Sequence, residues 1–156
     1  MIKNYSDYSQ KLKTNNLAKS ICDTFTSDTN FKDFDCLIYK DIPTISKKDY
    51  SCNIEFFTKD EKQLIYNLDI SFCLDSDNYY IIWIRDSWVD LEYKYLKVFM
   101  IFIQFLIYSF HIISGGSKSY FSFQGKSDDV NDLDEIITNI NPERYEIFKQ
   151  SKKFNV

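Results

Sequence analysis

The sequence is short of glycine, proline and histidine, and these shortages limit what the chain can be. It has 156 residues with three glycines, two prolines and one histidine. One histidine excludes a metal site built from several histidines. The phosphate-loop pattern GxxxxGK[ST] is absent, and Gly115 and Gly116 follow an apolar segment instead of opening a helix. No repeat or low-complexity linker divides the chain, so we expect a single domain over residues 1–156 and no cofactor.

The chain also lacks a basic patch. Lysine and arginine total 19 against 23 acidic residues, for a net charge of −4. Proteins that bind nucleic acid directly show clustered positive charge, so the scattered basic residues disfavour that function. An acidic protein is better suited to a basic protein partner, because complementary potentials speed association.

The four cysteines form no CxxC pair, which argues against a zinc site and a thioredoxin-like redox site. They are Cys22, Cys36, Cys52 and Cys73. The first residues contain no apolar signal segment, so a secreted disulfide framework is not expected. We therefore predict free, mostly buried thiols in the reducing cytoplasm.

Aromatic residues are abundant: 14 Phe, 12 Tyr and two Trp make up 18% of the chain. Each aromatic side chain buries a large area, so a chain of this length can form a substantial core. The sequence predicts an α+β fold around such a core.

The middle of the chain has the pattern of an antiparallel sheet of about four to five strands. From Leu64 to Leu74, apolar residues alternate with polar ones, which is typical of a strand with one face on the core. Further strands are predicted at 36–39, 53–57 and 79–84, and a short one ends at Gly125. Short connections between neighbouring strands favour antiparallel hairpins, because parallel strands need long crossovers.

Helices are predicted before and after these strands in the chain. We expect one long apolar helix over residues 88–113, with Ser87 and Asp90 as a capping box and Gly115 as the stop, and the sheet packed against it. An amphipathic N-terminal helix is expected over 3–26, with Asn15 and Asn16 as the place where a break could fall. C-terminal helices are expected over about 130–140 and from Pro142, which suits a first helical position.

The long apolar helix raises the question of a membrane. Residues 98–117 carry no charge, which approaches the roughly 20 residues that span a bilayer. Gln104, Ser109 and His111 interrupt the apolar stretch, so a buried core helix is favoured over a span, with membrane anchoring by residues 98–113 as a third hypothesis. His111 among these apolar neighbours is interpreted as a core or helix-end imidazole rather than a catalytic base.

Two groups of acidic residues could carry function. Residues 128–135 contain five acids and no base, and they form either a partner-facing surface or a solvated helix start. Asp69, Asp75 and Asp77 cluster near one strand end, with Arg85 on the next strand. Those residues support the main alternative function, a small metal-dependent hydrolase or nucleotide-modifying enzyme.

One arrangement resembles a known class of proteins. A strand leads into Trp83-Ile84-Arg85-Asp86, a long apolar helix follows, and then come Ser114-Gly115-Gly116 and the strand Tyr120-Phe121-Ser122-Phe123-Gln124. Over roughly residues 64–125 this resembles immunity proteins of bacterial contact-dependent growth inhibition and related polymorphic toxin systems. The resemblance implies a cytoplasmic, non-enzymatic inhibitor that binds one toxin domain, often a basic nuclease, and blocks its active site.

The sequence therefore leads to a specific functional prediction. We expect an immunity protein that binds its cognate toxin domain through acidic surfaces, without contacting nucleic acid or membrane directly. The predicted partner-binding residues are Asp128, Asp129, Asp132, Asp134, Glu135, Asp69, Asp75 and Asp77.

Overall fold

The structure, a computed structural model, describes residues 2–40, 50–74, 79–88, 93–114, 122–126 and 130–154. The elements in chain order are α1 (Ile2–Ser27), a short 3-10 helix (Thr29–Phe31), β1 (Phe34–Tyr39), β2 (Tyr50–Thr58), β3 (Leu64–Leu74), β4 (Tyr79–Trp88), α2 (Tyr93–Ser114), β5 (Ser122–Lys126), α3 (Val130–Asn139) and α4 (Pro142–Phe154). The predicted α+β class, with an antiparallel sheet and helices, is confirmed.

The described strands form one sheet in the order β1-β2-β3-β4-β5, and each is antiparallel to its neighbours. From Tyr66 to Ser71, strand alternation divides β3 as its sequence predicts. At the start of β3 the pairing with β2 shifts register, and there Ile65 is buried while Leu64 is only partly buried. Tyr66, Leu68 and Ile70 are buried, while Asp69 on the opposite face is exposed. The buried side of the sheet is called here the inner face, and the opposite side the outer face.

Helix α1 packs on the inner face across β1, β2 and β3. It is continuous through Asn15 and Asn16, so the predicted break is wrong. An asparagine in a helix costs less than about 0.7 kcal/mol, whereas burying an aliphatic side chain gains about 1.5–3 kcal/mol. Leu17 and Ile21 are fully buried immediately after the asparagines, and their packing outweighs the unfavourable local preference.

Helix α2 differs from its prediction at its start. Ser87 does not cap a helix: it pairs with Asn67 in the sheet, as Trp88 pairs with Tyr66, and α2 begins at Tyr93. Because the backbone near Ser87 forms hydrogen bonds with β3, β4 continues through Trp88 and the capping pattern at Ser87 does not start a helix. Asp90 and Gly115, the other predicted boundary residues, lie outside the described residues.

The predicted packing on a single apolar helix is also corrected, since α1 and α2 both contribute to the core. The ring of Phe25 in α1 stacks on Phe31 at 4.2 Å and meets Phe56 of β2 edge-on at 4.7 Å. Phe99 and Phe102 of α2 each lie 5.4 Å from Phe25. Such ring pairs add to the energy of area burial, and here they join two helices and the sheet.

Helices α3 and α4 pack against α1 and α2. Ile136 and Ile140 of α3 are buried, as the predicted helical face requires. Pro142 occupies the first position of α4, which confirms that prediction, and the Asn141 side chain accepts a hydrogen bond from the Arg144 amide at 2.9 Å.

A buried polar group ties α4 to the end of α1. The Tyr145 hydroxyl donates to Asp28 Oδ2 at 2.8 Å, and Lys149 Nζ lies 3.2 Å from the same oxygen. The other oxygen, Oδ1, accepts from the Asn30 backbone amide at 2.9 Å. Because Asp28 is almost fully buried, these partners replace the water that its carboxylate would otherwise need.

The prediction of free thiols is wrong for two cysteines. Cys22 of α1 and Cys36 of β1 form a disulfide with their Cα atoms 6.1 Å apart. The inward alternation of β1 brings Cys36 under α1, a proximity that sequence spacing does not reveal. Cys52 is a buried free thiol whose pKa burial raises to about 12, so it stays protonated at neutral pH. The Cys73 side chain lies outside the described part of the chain.

Within the described residues, no helix has both the length and the apolar character that crossing a membrane requires. Helix α2 has a buried side, with Phe99, Phe102 and Phe110, and an exposed side that includes Met100 and Tyr108. Its apolar character therefore serves the core on one side only. The His111 side chain is outside the described part of α2.

Candidate protein-binding surface

The acidic segment 128–135 is only partly placed by the structure. Asp134 and Glu135 are exposed on α3. Lys13 Nζ of α1 lies 2.6 Å from Asp134 Oδ1, and the two form an ion pair. The charge of Asp134 is therefore partly balanced within the chain. Asp132 lies in α3, but its side chain is outside the described part, and Asp128 and Asp129 lie outside the described residues altogether.

The described helical side carries charges of both signs. The last turn of α4, the next helix in the chain, contains Lys152 and Lys153, both exposed. Lys152 Nζ lies 5.3 Å from the centre of the Phe148 ring, which holds this positive charge against the helix. With Lys13 also nearby, the described helical side does not form a uniformly acidic surface.

The outer face presents a different pattern. Because side chains alternate along each strand, the residues opposite the core on β1, β2 and β3 share this face. We define the outer sheet face by Asp35, Leu37, Tyr39, Ser51, Asn53, Glu55, Asn67, Asp69 and Ser71. The described helices pack on the inner side of the same strands.

An asparagine organises the centre of the outer sheet face. Asn53 Nδ2 donates hydrogen bonds to Asn67 Oδ1 and to Asp69 Oδ1. An amide nitrogen has two hydrogens, so each acceptor can receive one of them. Asn53 is only 8% exposed, whereas Asp69 is exposed. The contacts fix the orientation of an outward carboxylate before any partner arrives, which lowers the ordering cost of binding.

The outer sheet face is acidic over its described part. Asp35, Glu55 and Asp69 point outward from β1, β2 and β3, and these three strand segments contain no lysine or arginine. At the β1 edge, Leu37 and Tyr39 are 47% and 46% exposed. Exposed aromatic and aliphatic groups beside a charged rim are typical of protein-binding surfaces.

The residues of the enzyme alternative are also only partly placed. Arg85 is paired with Asp69 in the register of β3 and β4, so these two positions are adjacent, as the alternative requires. Asp75 and Asp77 lie outside the described residues, and the Arg85 side chain is outside the described part. Among the side chains that the structure describes, no three His, Cys, Asp or Glu residues are grouped to hold a metal ion.

The described members of the two predicted acidic patches do not share one surface. Asp69 faces away from the helices, whereas Asp134 lies on α3, which packs on α1 and α2 beyond the inner face. A partner with a flat binding surface can therefore contact one patch but not the other.

The predicted partner-binding residues do not include Leu37, Tyr39, Asn53 or Glu55, which help to form the outer sheet face. A signal for β2 was present, since Ser51, Asn53 and Glu55 alternate with Cys52, Ile54 and Phe56. That alternation predicts the outward residues of β2. The pairing of β1 with β2, which adds Leu37 and Tyr39, depends on a register that the sequence does not state.

No protein-family model, curated protein or solved structure matches this chain. The geometry and charge of its own residues are therefore the basis for a functional conclusion. The described features that a partner could recognise are the fixed Asp69 carboxylate, the two further outward acids and the exposed β1 side chains.

Proposed function

We propose that this chain is a cytoplasmic, non-enzymatic immunity-type protein that binds a toxin domain with a basic active site and blocks it. The observation that carries the proposal is the outer sheet face, where Asn53 fixes Asp69 on the side of the sheet opposite the helices. The toxin class that fits is a basic nuclease, since its cleft must attract phosphates. Carboxylates held on rigid strands can occupy the same lysine and arginine groups.

The outer sheet face is a better candidate for direct contact than the segment 128–135. Asp134 already has an ion pair with Lys13, so a partner would have to compete with a charge of this chain. Glu55 and Asp69 lie on strands without basic residues. Glu55 is paired with the uncharged Leu37 and Asn67, whereas the Arg85 position of β4 is opposite Asp69, so Glu55 has no basic position paired to it. Charges on the far side of the molecule contribute little, because salt screens exposed charges beyond about 8 Å.

Leu37 and Tyr39 would supply the apolar part of the contact. Interfaces take most of their energy from a few side chains, tyrosine prominent among them, while surrounding polar groups exclude water and set specificity. In the register, Tyr39 lies opposite Asn53, so the aromatic side chain borders the fixed polar group. Removing the acids should therefore slow association most, and removing Tyr39 should mainly speed dissociation.

The proposal expects a toxin gene immediately upstream of this one, and the functional test uses the toxin domain that such a gene would encode. The full chain should inhibit that domain's nuclease activity at equimolar concentration. The double variant Glu55→Gln and Asp69→Asn keeps side-chain shape and removes two charges, and it should raise the inhibition constant about tenfold or more.

The matched control removes two exposed acids from the helical side, with Glu135→Gln and Glu143→Gln. Net charge is the same in both double variants, so only position differs. The control should inhibit as well as the wild type. No inhibition by the wild type would overturn the proposed function, and equal losses in both variants would overturn the assignment of the face.

The disulfide bears directly on the proposed location. Disulfides persist in oxidising compartments and are rare in the reducing cytosol. The proposed cytoplasmic location therefore requires Cys22 and Cys36 to be thiols in the cell. Alkylation of the protein at the moment of cell lysis, followed by mass spectrometry, should label both. A quantitative disulfide in that experiment would contradict the cytoplasmic location.

A further inference from the structure

Strand β1 has the properties of an edge that can accept another strand. Among the described strands it pairs only with β2. Proteins usually protect such an edge with lysine, proline or a bulge, because its unpaired amides and carbonyls bind other strands. The six residues from Phe34 to Tyr39 contain neither lysine nor proline, and their pairing with β2 runs without a register shift. Leu37 and Tyr39 on this strand are nearly half exposed.

The backbone groups available on this edge follow from the hydrogen bonding next to it. The Lys59 amide donates to the Asp33 carbonyl at 3.0 Å, so Asp33 belongs to a hydrogen-bonded pair with the β2 side. Such pairs alternate along an antiparallel ladder. The amides and carbonyls of Phe34, Cys36 and Ile38 therefore point away from β2, toward the open side of the edge.

We propose that the occupant of this edge is β1 of a second copy of the chain, antiparallel and centred on Leu37. In this register Cys36 forms a hydrogen-bonded pair with Ile38 of the partner subunit. Both residues belong to the set whose backbone groups point outward, so the ladder is geometrically consistent. The two sheets then continue as one across a two-fold axis, and the same strand of each copy forms the interface, so the assembly closes as a dimer.

The side chains of β1 are self-complementary in that register. Leu37 meets its own copy at the axis, in a pair without hydrogen bonds, where side chains come closest. Asp35 lies opposite Tyr39 of the partner subunit, where the hydroxyl can donate to the carboxylate. Moving the centre to Cys36 instead would place Asp35 against Leu37, and moving it to Ile38 would shorten the overlap. The chemistry of the strand thus favours a second copy centred on Leu37.

This dimer goes beyond the proposed function and does not depend on it. Residues paired across antiparallel strands point to the same side, so the outer sheet faces of both copies would form one larger acidic surface. A toxin domain could then meet twice the number of outward carboxylates. The dimer is a property of the chain alone and is measured without any toxin.

The test compares two leucines with the same exposure. Leu37 is 47% exposed on β1, and Leu12 is 46% exposed on α1. Light scattering over a wide concentration range should give a dimer mass for the wild type and for Leu12→Lys. Leu37→Lys places two ammonium groups face to face at the axis and should give a monomer mass with an unchanged circular dichroism spectrum. A monomeric wild type, or a Leu37→Lys variant that remains dimeric, would overturn the proposal.

A cross-linking experiment tests the register itself. Residues in a pair without hydrogen bonds have Cα atoms about 4.5 Å apart, which a disulfide can bridge. Leu37→Cys should form a covalent dimer under mild oxidation by glutathione disulfide, a reaction in which two thiols become a disulfide and two glutathione thiols are released. Leu12→Cys should not. Equal cross-linking of both variants, or of neither, would contradict a two-fold axis at Leu37.

Discussion

The two faces of the sheet are made by the same strands and have opposite chemistry. On the inner face, Phe56 contacts the rings of Phe25, Phe99 and Phe102. On the outer face of the same strands, Asn53 forms a polar network with Asn67 and Asp69. The comparison shows that strand alternation lets one set of backbone hydrogen bonds support both a core and a candidate binding surface.

The faces should also differ in how they respond to substitution. Inner-face side chains are closely packed, so the loss of a few atoms leaves a cavity. Outer-face side chains other than the buried Ser51 and Asn53 reach solvent, and changes at exposed positions usually alter stability by less than about 0.5 kcal/mol. If the two faces have these separate roles, variants on the inner face should lose stability, and variants on the outer face should lose binding of the partner while keeping their fold.

The largest expected effect is on the inner face. Phe99 is fully buried and contacts Phe25, Phe31 and Phe34. Phe99→Ala should lower the free energy of unfolding by about 3–5 kcal/mol, measured by urea denaturation. Tyr108→Ala, at an exposed position of the same helix, serves as the control and should cost much less. Similar losses at both positions would show that α2 is not packed as described.

The disulfide should have the next largest effect in oxidised protein. It closes a loop between residues 14 apart in sequence, for which the loss of chain entropy predicts about 3 kcal/mol of stabilisation. Cys22→Ser should reduce the free energy of unfolding by about that amount, and reductant should produce the same loss in the wild type. Reductant should leave the Cys22→Ser variant unchanged, and a further loss there would indicate a different cysteine pairing.

The group around Asp28 should have an intermediate effect. Tyr145→Phe removes the hydroxyl that donates to Asp28 and leaves the ring in place. A hydrogen bond to a charged group contributes about 1.5–3 kcal/mol, and we expect a loss in this range by urea denaturation. Because the exposed Tyr108 lacks such a bond in the described structure, Tyr108→Phe is the matched control and should leave stability nearly unchanged.

The same substitution should change the alkaline limit of stability. Burial, reinforced by the hydrogen bond to Asp28, raises the pKa of Tyr145 above its usual 10.0. Burial lowers the pKa of Lys149, but its bonds to Glu146 and Asp28 outweigh this and raise it overall. A raised pKa in the folded state means that stability holds below the ordinary value and falls as pH rises above it. The wild type should therefore lose stability above about pH 10, and Tyr145→Phe should lose it less steeply.

The smallest effect is expected for the ion pair between α1 and α3. The Asp134 side chain is 57% exposed, so its pair with Lys13 is screened by solvent. Asp134→Asn should cost about 0.2–1 kcal/mol, and the cost should shrink in high salt. Glu135→Gln, next to it on α3, should cost less. A salt-independent loss at Asp134 would mean that the pair is structural rather than a surface contact.

The sequence predicts the positions of the strands better than it predicts contacts between residues that are distant in sequence. The alternation over Leu64 to Leu74 is a local signal, and β3 has those bounds in the structure. The start of α2 could not be predicted the same way, because the pattern at Ser87 is local whereas its pairing with Asn67 is a contact between distant residues. For the same reason, the sequence did not reveal that Cys22 and Cys36 are close in space.

The candidate surface was predictable in part. The outward position of Asp69 follows from alternation, and its exposure agrees. The fixed orientation of Asp69 does not follow from alternation, because it depends on a hydrogen bond from Asn53, which is 16 residues away and on another strand. The charge of residues 128–135 was evident in the sequence, but the Lys13 that pairs with Asp134 comes from a helix more than a hundred residues earlier. Strand register and helix packing therefore decide which acids remain available to a partner.

The most direct test of the outer sheet face is the rate of association, at low and high salt, with the toxin domain that the proposal expects the upstream gene to encode. Asp69→Lys reverses a charge on the outer sheet face, and Glu135→Lys reverses an exposed charge on α3. Asp69→Lys should slow association about tenfold or more at low salt and weaken its salt dependence, whereas Glu135→Lys should change the rate less than about twofold. A larger effect from Glu135→Lys, or equal effects from both, would contradict recognition through the outer sheet face.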